Sequence, residues 1–194
     1  MLHVGNQKGR IKGEKMKAVL ISVRPKWCEL IASGKKRIEV RKTRPKIETP
    51  FKCYIYKSFG KRKDCFAREI QTYFNCSKVI GSFVCDRIRQ IDITVGIGDK
   101  EYPVLCGGDI TASCFSYEEF EKYGKGKTIY GWHISDLKIY DKPKELGEFK
   151  KAGFMTEEQW LYALYPNTHC HYEAWAKRFE ITHPPQSWCY VEEI

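Results

Sequence analysis

Nowhere in this 194-residue chain is there an apolar run close to the roughly 20 residues that a membrane-spanning helix requires, so no membrane partner is expected. The opening residues, Met1-Leu2-His3-Val4-Gly5-Asn6-Gln7, have no apolar block of the kind a secretory signal uses, and the expected location is the cytoplasm. None of the nine cysteines forms a C-x-x-C pair, and most sit in apolar strings such as Phe83-Val84-Cys85, the pattern of buried thiols in a reducing compartment. Clustered metal ligands are scarce as well. His169-Cys170-His171 has no second pair near it, so neither a metal ion nor any other cofactor is expected. No G-x-S-x-G supplies a nucleophile for His133 or His183, which read as structural or exposed histidines. Internal repeats and low-complexity tracts are absent too.

Acidic residues are thin where basic ones gather. Residues 24–68 hold 15 Lys/Arg against 4 Asp/Glu, a net +11, whereas residues 69–194 hold 14 against 19, a net −5. The overall charge of +10 is therefore a local feature, and its sign fits a polyanionic partner. Residues 1–15 are Gly/Lys-rich without apolar periodicity and are expected to be a flexible extension. A single domain is expected over 16–194.

That domain begins on a strand, Ala18 to Val23. Pro25 suits a first helical position, Trp27, Leu30 and Ile31 fall at helix spacing, and Gly34 suits the end of that helix. Residues 37–42 alternate, with Ile38 and Val40 on one face and Arg37, Glu39 and Arg41 on the other. Further strands are expected at 52–57, 78–89, 128–134, 136–140 and 187–192, and helices at 61–75, after Ser116 and after Thr156. Segment 92–115, with its five turn residues, reads as an irregular hairpin insertion. Strands in a mostly antiparallel order with helices between them imply an α+β domain on a small β-barrel.

The chemistry gathers at Ser33-Gly34-Lys35-Lys36-Arg37-Ile38-Glu39-Val40-Arg41, a helix end, a glycine turn and a strand with charges on one face. A solvated strand face is the plain alternative. Against it stands the like-charge continuation Arg41-Lys42-Thr43-Arg44-Pro45-Lys46, which is unfavourable unless an anion neutralises it, with Glu39 as its one acidic exception. Lys36, Arg37 and Arg41 suit phosphate, Arg41 with two oxygens at once. Glu39 suits orienting Arg41, accepting from a base or ribose hydroxyl, or acting as general base towards water. Tyr54 and Tyr56 suit base stacking, unless they pack on the barrel wall. Arg24, Arg44, Lys57 and Ser58 extend the rim.

Gly34-x-Lys36-x-x-Glu39-x-Arg41 resembles the G-x-K-x-x-E-x-R signature of ASCH domains, small barrels similar to the PUA domains of RNA-modifying proteins. The strands Tyr54 to Ser58, Lys78 to Val84, Gly131 to Ser135 and Pro184 to Val191 resemble the family's framework. Segments 61–76, 92–115 and 151–182 would then be insertions. The resemblance implies a PUA-like/ASCH fold and a groove at the motif that holds RNA or a nucleotide. It also implies an alternative, since one branch of the family cleaves the acetyl amide of acetylated cytidine and another is associated with RNA cleavage. In this alternative Lys36 and Glu39 are the catalytic pair. The deacetylating branch has a threonine where this chain has Glu39, and a carboxylate there is expected to keep Lys36 protonated, against a nucleophilic role. Its third residue has no firm counterpart among Asp109, Glu118 and Glu119. A third reading is an interaction protein that docks a partner through its acidic part, residues 69–194.

Overall fold

The runs of alternating and apolar residues pair into one mixed sheet. A computed structural model describes residues 17–59, 77–91, 95–97, 100–102, 107–163 and 172–194. Its strands are β1 (Lys17–Val23), β2 (Ile38–Arg41), β3 (Phe51–Lys57), β4 (Lys78–Ile91), β5 (Val95–Ile97), β6 (Lys100–Tyr102), β7 (Ile129–Glu145) and β8 (Trp188–Glu192). Six of them form a sheet in the order β2-β7-β4-β3-β1-β8, parallel only between β1 and β3, while β5 and β6 make a separate hairpin. The helices are α1 (Pro25–Ala32), α2 (Gly107–Ser113), α3 (Tyr117–Gly124), α4 (Glu157–Ala163) and α5 (Tyr172–Lys177).

Local chemistry accounts for the boundaries. Pro25 opens α1, and Gly34, at φ +73°, turns the chain back towards β2. Ser116 accepts from the Glu119 backbone while the Glu119 carboxylate accepts from the Ser116 backbone, the reciprocal cap expected for α3. Thr156 and Gln159 exchange the same pair of bonds ahead of α4. The two strands expected at 128–134 and 136–140 are one long strand, β7, because Asp136 takes a left-handed turn (φ 44°) and register shifts absorb it without ending the ladder. Segment 92–115 holds the small hairpin and also α2, which the irregular reading missed. The helix expected at 61–75, the extension 1–15 and His169-Cys170-His171 lie outside the described residues.

Alternation along β1 and β3 feeds both faces of the sheet. Val19, Ile21, Cys53 and Ile55 join α1 and Trp132 in the larger apolar cluster, and Leu20, Tyr54 and Tyr56 join Phe149 and Val191 in a second. A third joins Val40, Ile91 and Ile129 to Phe120 of α3. Cys28, Cys53 and Cys85 are buried; burial pushes the Cys85 thiol up to about 12 and raises the Cys53 thiol as well, so these two pack rather than react.

The sheet is not closed into the expected barrel. Its end strands, β2 and β8, share no ladder; Pro45 follows the first and Pro184-Pro185 precede the second, and proline cannot donate to one. Side chains join this seam. Arg41 Nη1 donates to the Ser187 carbonyl at 3.1 Å, Trp188 Nε1 to Thr43 Oγ1 at 3.0 Å, and the Lys46 backbone to the Tyr190 hydroxyl at 2.6 Å. The outer edge of β8 is covered by the start of the 151–182 segment, where the Ala152 backbone donates to Tyr190 at 3.1 Å. No helix among the described residues is long and apolar enough to cross a membrane.

Candidate nucleic-acid interface

Strand β2 is the edge of the sheet, and its charged face turns inward. Opposite it, across β7, Glu39 pairs with Trp132 and Arg41 with Tyr130. Glu39 Oε1 accepts from Arg41 Nη2 at 2.9 Å, and Glu39 Oε2 stands 3.6 Å from Lys36 Nζ. All three side chains are buried, with 8% or less of each exposed. Arg41 is a tie across the seam: besides Ser187 it donates through Nη2 to the Ser22 carbonyl at 2.9 Å. The plain alternative of a solvated strand face is therefore corrected, because burial of charge at β2 is compensated by pairing and by main-chain carbonyls. Glu39 Oε2, ion-paired with Lys36, and Arg41 Nε are nevertheless buried without a hydrogen-bond partner.

Lys36 lies deeper than the sequence implied. Its Nζ donates to the Ser113 carbonyl at 2.6 Å and sits 4.9 Å from the ring centres of both Trp27 and Phe115. It thereby fastens the end of α2 to α1. The Lys26–Glu119 pair at 2.9 Å and the Trp27–Phe115 stack at 4.7 Å reinforce the same junction. Glu39 favours the protonated form of Lys36, as expected, while desolvation, the larger effect, draws the amine below its ordinary pKa.

Between this junction and the seam opens a cleft of about 680 Å³, within the size range of small-ligand sites. Glu39 and Arg41 border its interior, Trp27, Phe115 and Tyr123 give it aromatic walls, and Pro184 to Ser187 close the far side. Arg24, Lys42, Thr43 and Ser58 also line it. Lys42 Nζ lies 5.0 Å from the Tyr123 ring centre, and burial raises the Tyr123 hydroxyl's pKa.

The sequence-derived residues thus divide. Arg24, Glu39, Arg41 and Ser58 come together at the cleft, with Lys36 behind its wall and Gly34 in the turn that leads to them. Arg37 is exposed just ahead of β2, and Arg44 lies outside the cleft, 6.0 Å from the Tyr130 ring centre. Tyr54 and Tyr56 do not reach the cleft. Both are buried in the second cluster, where Phe149 packs 4.9 Å from the Tyr54 ring and the Tyr54 hydroxyl donates to the Ile194 carbonyl at 2.9 Å. Their expected stacking role is corrected in favour of the wall-packing alternative. Lys57 is buried beside Cys28, Ile80 and Tyr140, away from the cleft. Of the three carboxylates weighed as a third catalytic residue, Glu119 caps α3 and pairs with Lys26, Glu118 is exposed, and the side chain of Asp109 lies outside the described residues. Trp27, Phe115 and Tyr123 were missed as wall residues. Trp27 carried only a helix-periodicity signal, and the other two belong to a segment whose docking no local pattern announces.

A model of the ASCH domain matches residues 21–184. The chain belongs to the ASCH domain family. Crystal structures of ASCH from Zymomonas mobilis share the fold: one has a TM-score of 0.53 at 19% identity, covering 91% of this chain and 88% of that one. A serine-to-alanine mutant of the Zymomonas mobilis protein gives 0.51 at 18%, covering 94% and 92%, and a tyrosine-to-phenylalanine mutant gives 0.51 at 17%, covering 91% of each. No curated protein matches. Membership supports a PUA-like fold and, in general terms, a nucleic-acid-related domain.

Proposed function

We propose that this ASCH domain binds RNA or a nucleotide in the cleft beside Glu39 and Arg41. The observation that carries this reading is one cavity that combines aromatic walls with cationic lining: Trp27, Phe115 and Tyr123 beside Arg24 and Lys42. Aromatic faces stack bases without regard to sequence, at about 1–3 kcal/mol per base, while Arg24 and Lys42 meet phosphate. Glu39 is the acceptor for an N–H or ribose O–H of the bound base. Arg41 positions Glu39 rather than gripping phosphate, because its Nη atoms are already bonded. A salt titration of single-stranded RNA affinity tests the proposal. Affinity falls as salt rises, and Lys42→Ala flattens the slope, whereas Lys142→Ala, on an exposed stretch of β7, leaves it unchanged. Absence of binding at low salt overturns the reading.

A second reading is hydrolysis of an acetylated cytidine-type nucleoside, or of RNA, through Lys36 and Glu39. The depressed Lys36 pKa favours it, since a neutral amine is the nucleophilic form. Geometry favours binding instead: the Lys36 amine is held by Ser113, and only Glu39 of the pair borders the cleft. Incubation with acetylated cytidine and with structured RNA separates the two readings. Turnover that Glu39→Gln abolishes establishes the enzyme, and survival of both substrates removes it.

A further inference from the structure

The loop that joins β2 to β3 is a wall shared by two cavities. Lys42 and Thr43 line the cleft, whereas residues 44–49, with Ile88 of β4, line a second groove of about 850 Å³ that the site described above does not use. The lining passes from one cavity to the other between consecutive residues, Thr43 and Arg44. That crossing point is fastened on both sides. Trp188 Nε1 donates to Thr43 Oγ1 at 3.0 Å, and the Lys46 backbone donates to the Tyr190 hydroxyl at 2.6 Å, so strand β8 holds the loop in place between the two cavities.

The loop carries almost one sign of charge. Lys42, Arg44 and Lys46 are exposed on it, and Glu48 is its single acidic residue. Aromatic rings place two of these cations: Lys42 Nζ lies 5.0 Å from the Tyr123 ring centre, and Arg44 Cζ lies 6.0 Å from that of Tyr130. A ring face attracts a cation without taking up its N–H groups as a carboxylate does, so both keep donors for an anion. Among the described residues no carboxylate is ion-paired with Lys42, Arg44 or Lys46. Neighbouring like charges repel one another, and an anion lying along the loop relieves that repulsion.

We propose that the ligand is a single strand of RNA that runs from the cleft over this loop into the second groove, rather than a free nucleotide. One base stacks in the cleft, the phosphates beside it meet Lys42 and then Arg44, and the next nucleotide lies in the groove with Lys46 and Ile88. A guanidinium fork matches phosphate oxygens in geometry and stays charged at any physiological pH, which suits Arg44 to the flanking phosphate. A cationic path that links one base-stacking cavity to further space is how sequence-tolerant proteins follow a single strand. This inference rests on the cleft being the binding site, and it adds the length and the path of what is bound there.

Calorimetric titration of the full chain with adenosine monophosphate and with short adenylate oligonucleotides of increasing length is the test. Affinity rises with length beyond the mononucleotide. Arg44→Ala, at an exposed position, weakens oligonucleotide binding by about tenfold and lowers its salt slope by about one, yet leaves mononucleotide affinity unchanged. Arg44→Glu weakens the oligonucleotide further, and Trp27→Ala weakens both ligands because it acts in the cleft. Urea denaturation of the Arg44 variants matches that of the parent chain, which separates lost contact from lost structure. A mononucleotide bound as tightly as the oligonucleotides, or an Arg44→Ala loss equal for both, overturns the second groove while the cleft reading stands. Absence of binding by every length overturns both.

Discussion

Strands β2 and β3 have the same look in sequence and opposite places in the molecule. Each alternates apolar residues with side chains that suit nucleic-acid recognition, Glu39 and Arg41 on β2, Tyr54 and Tyr56 on β3. β2 is an end strand whose charged face meets a cleft of about 680 Å³ walled by Trp27, Phe115 and Tyr123. β3 is interior, between β1 and β4, and its tyrosine face is sealed by Phe149, Ile181 and the C-terminal residue Ile194. Residue type does not decide whether a strand face binds a ligand; what is packed over that face decides it.

Variants sharpen the contrast, beginning with the largest effect. Arg41→Ala removes the tie to Ser22 and Ser187 and strands Glu39 in the interior, so it is expected to cost about 3–5 kcal/mol in a urea denaturation, a stability loss beyond any effect on binding. Trp27→Ala is expected to lower RNA affinity by about tenfold or more, the value of one lost stacking partner, while Lys142→Ala changes nothing. Tyr54→Phe inverts that pattern: it removes the hydroxyl shared by the Ile194 carbonyl and amide, costs about 1 kcal/mol of stability and leaves RNA affinity unchanged.

The smallest effect is a pH slope. Folding lowers the Lys36 pKa from its ordinary 10.5, so below 10.5, down to the folded value, the unfolded chain binds more protons than the folded one. Stability attributable to Lys36 therefore rises with pH across that window. Lys36→Met lacks the rise, and the difference between the two denaturation curves against alkaline pH measures it.

Much of the framework was legible locally. Pro25, Gly34 and the Ser116/Glu119 cap mark helix ends by backbone chemistry that needs no tertiary partner. The motif residues could be placed on one strand face because alternation fixes which side chains share it. Burial of that face was hidden, since it depends on Ser113 and Ser187, which lie 77 and 146 residues away in sequence from the groups they bind. For the same reason the aromatic walls were invisible: Trp27 reads as a core helix position until Phe115 is stacked on it. Tyr54 and Tyr56 misled because a tyrosine buried under Phe149 and one waiting for a base have the same sequence signature.

Ultraviolet crosslinking of bound single-stranded RNA, followed by peptide mapping, tests the central claim most directly. The account predicts crosslinks in the peptides that carry Trp27, Phe115 and Tyr123, lost in Trp27→Ala for the first of them. Crosslinks confined to the peptide with Tyr54 and Tyr56, or none in the three cleft peptides while RNA is bound, would contradict it.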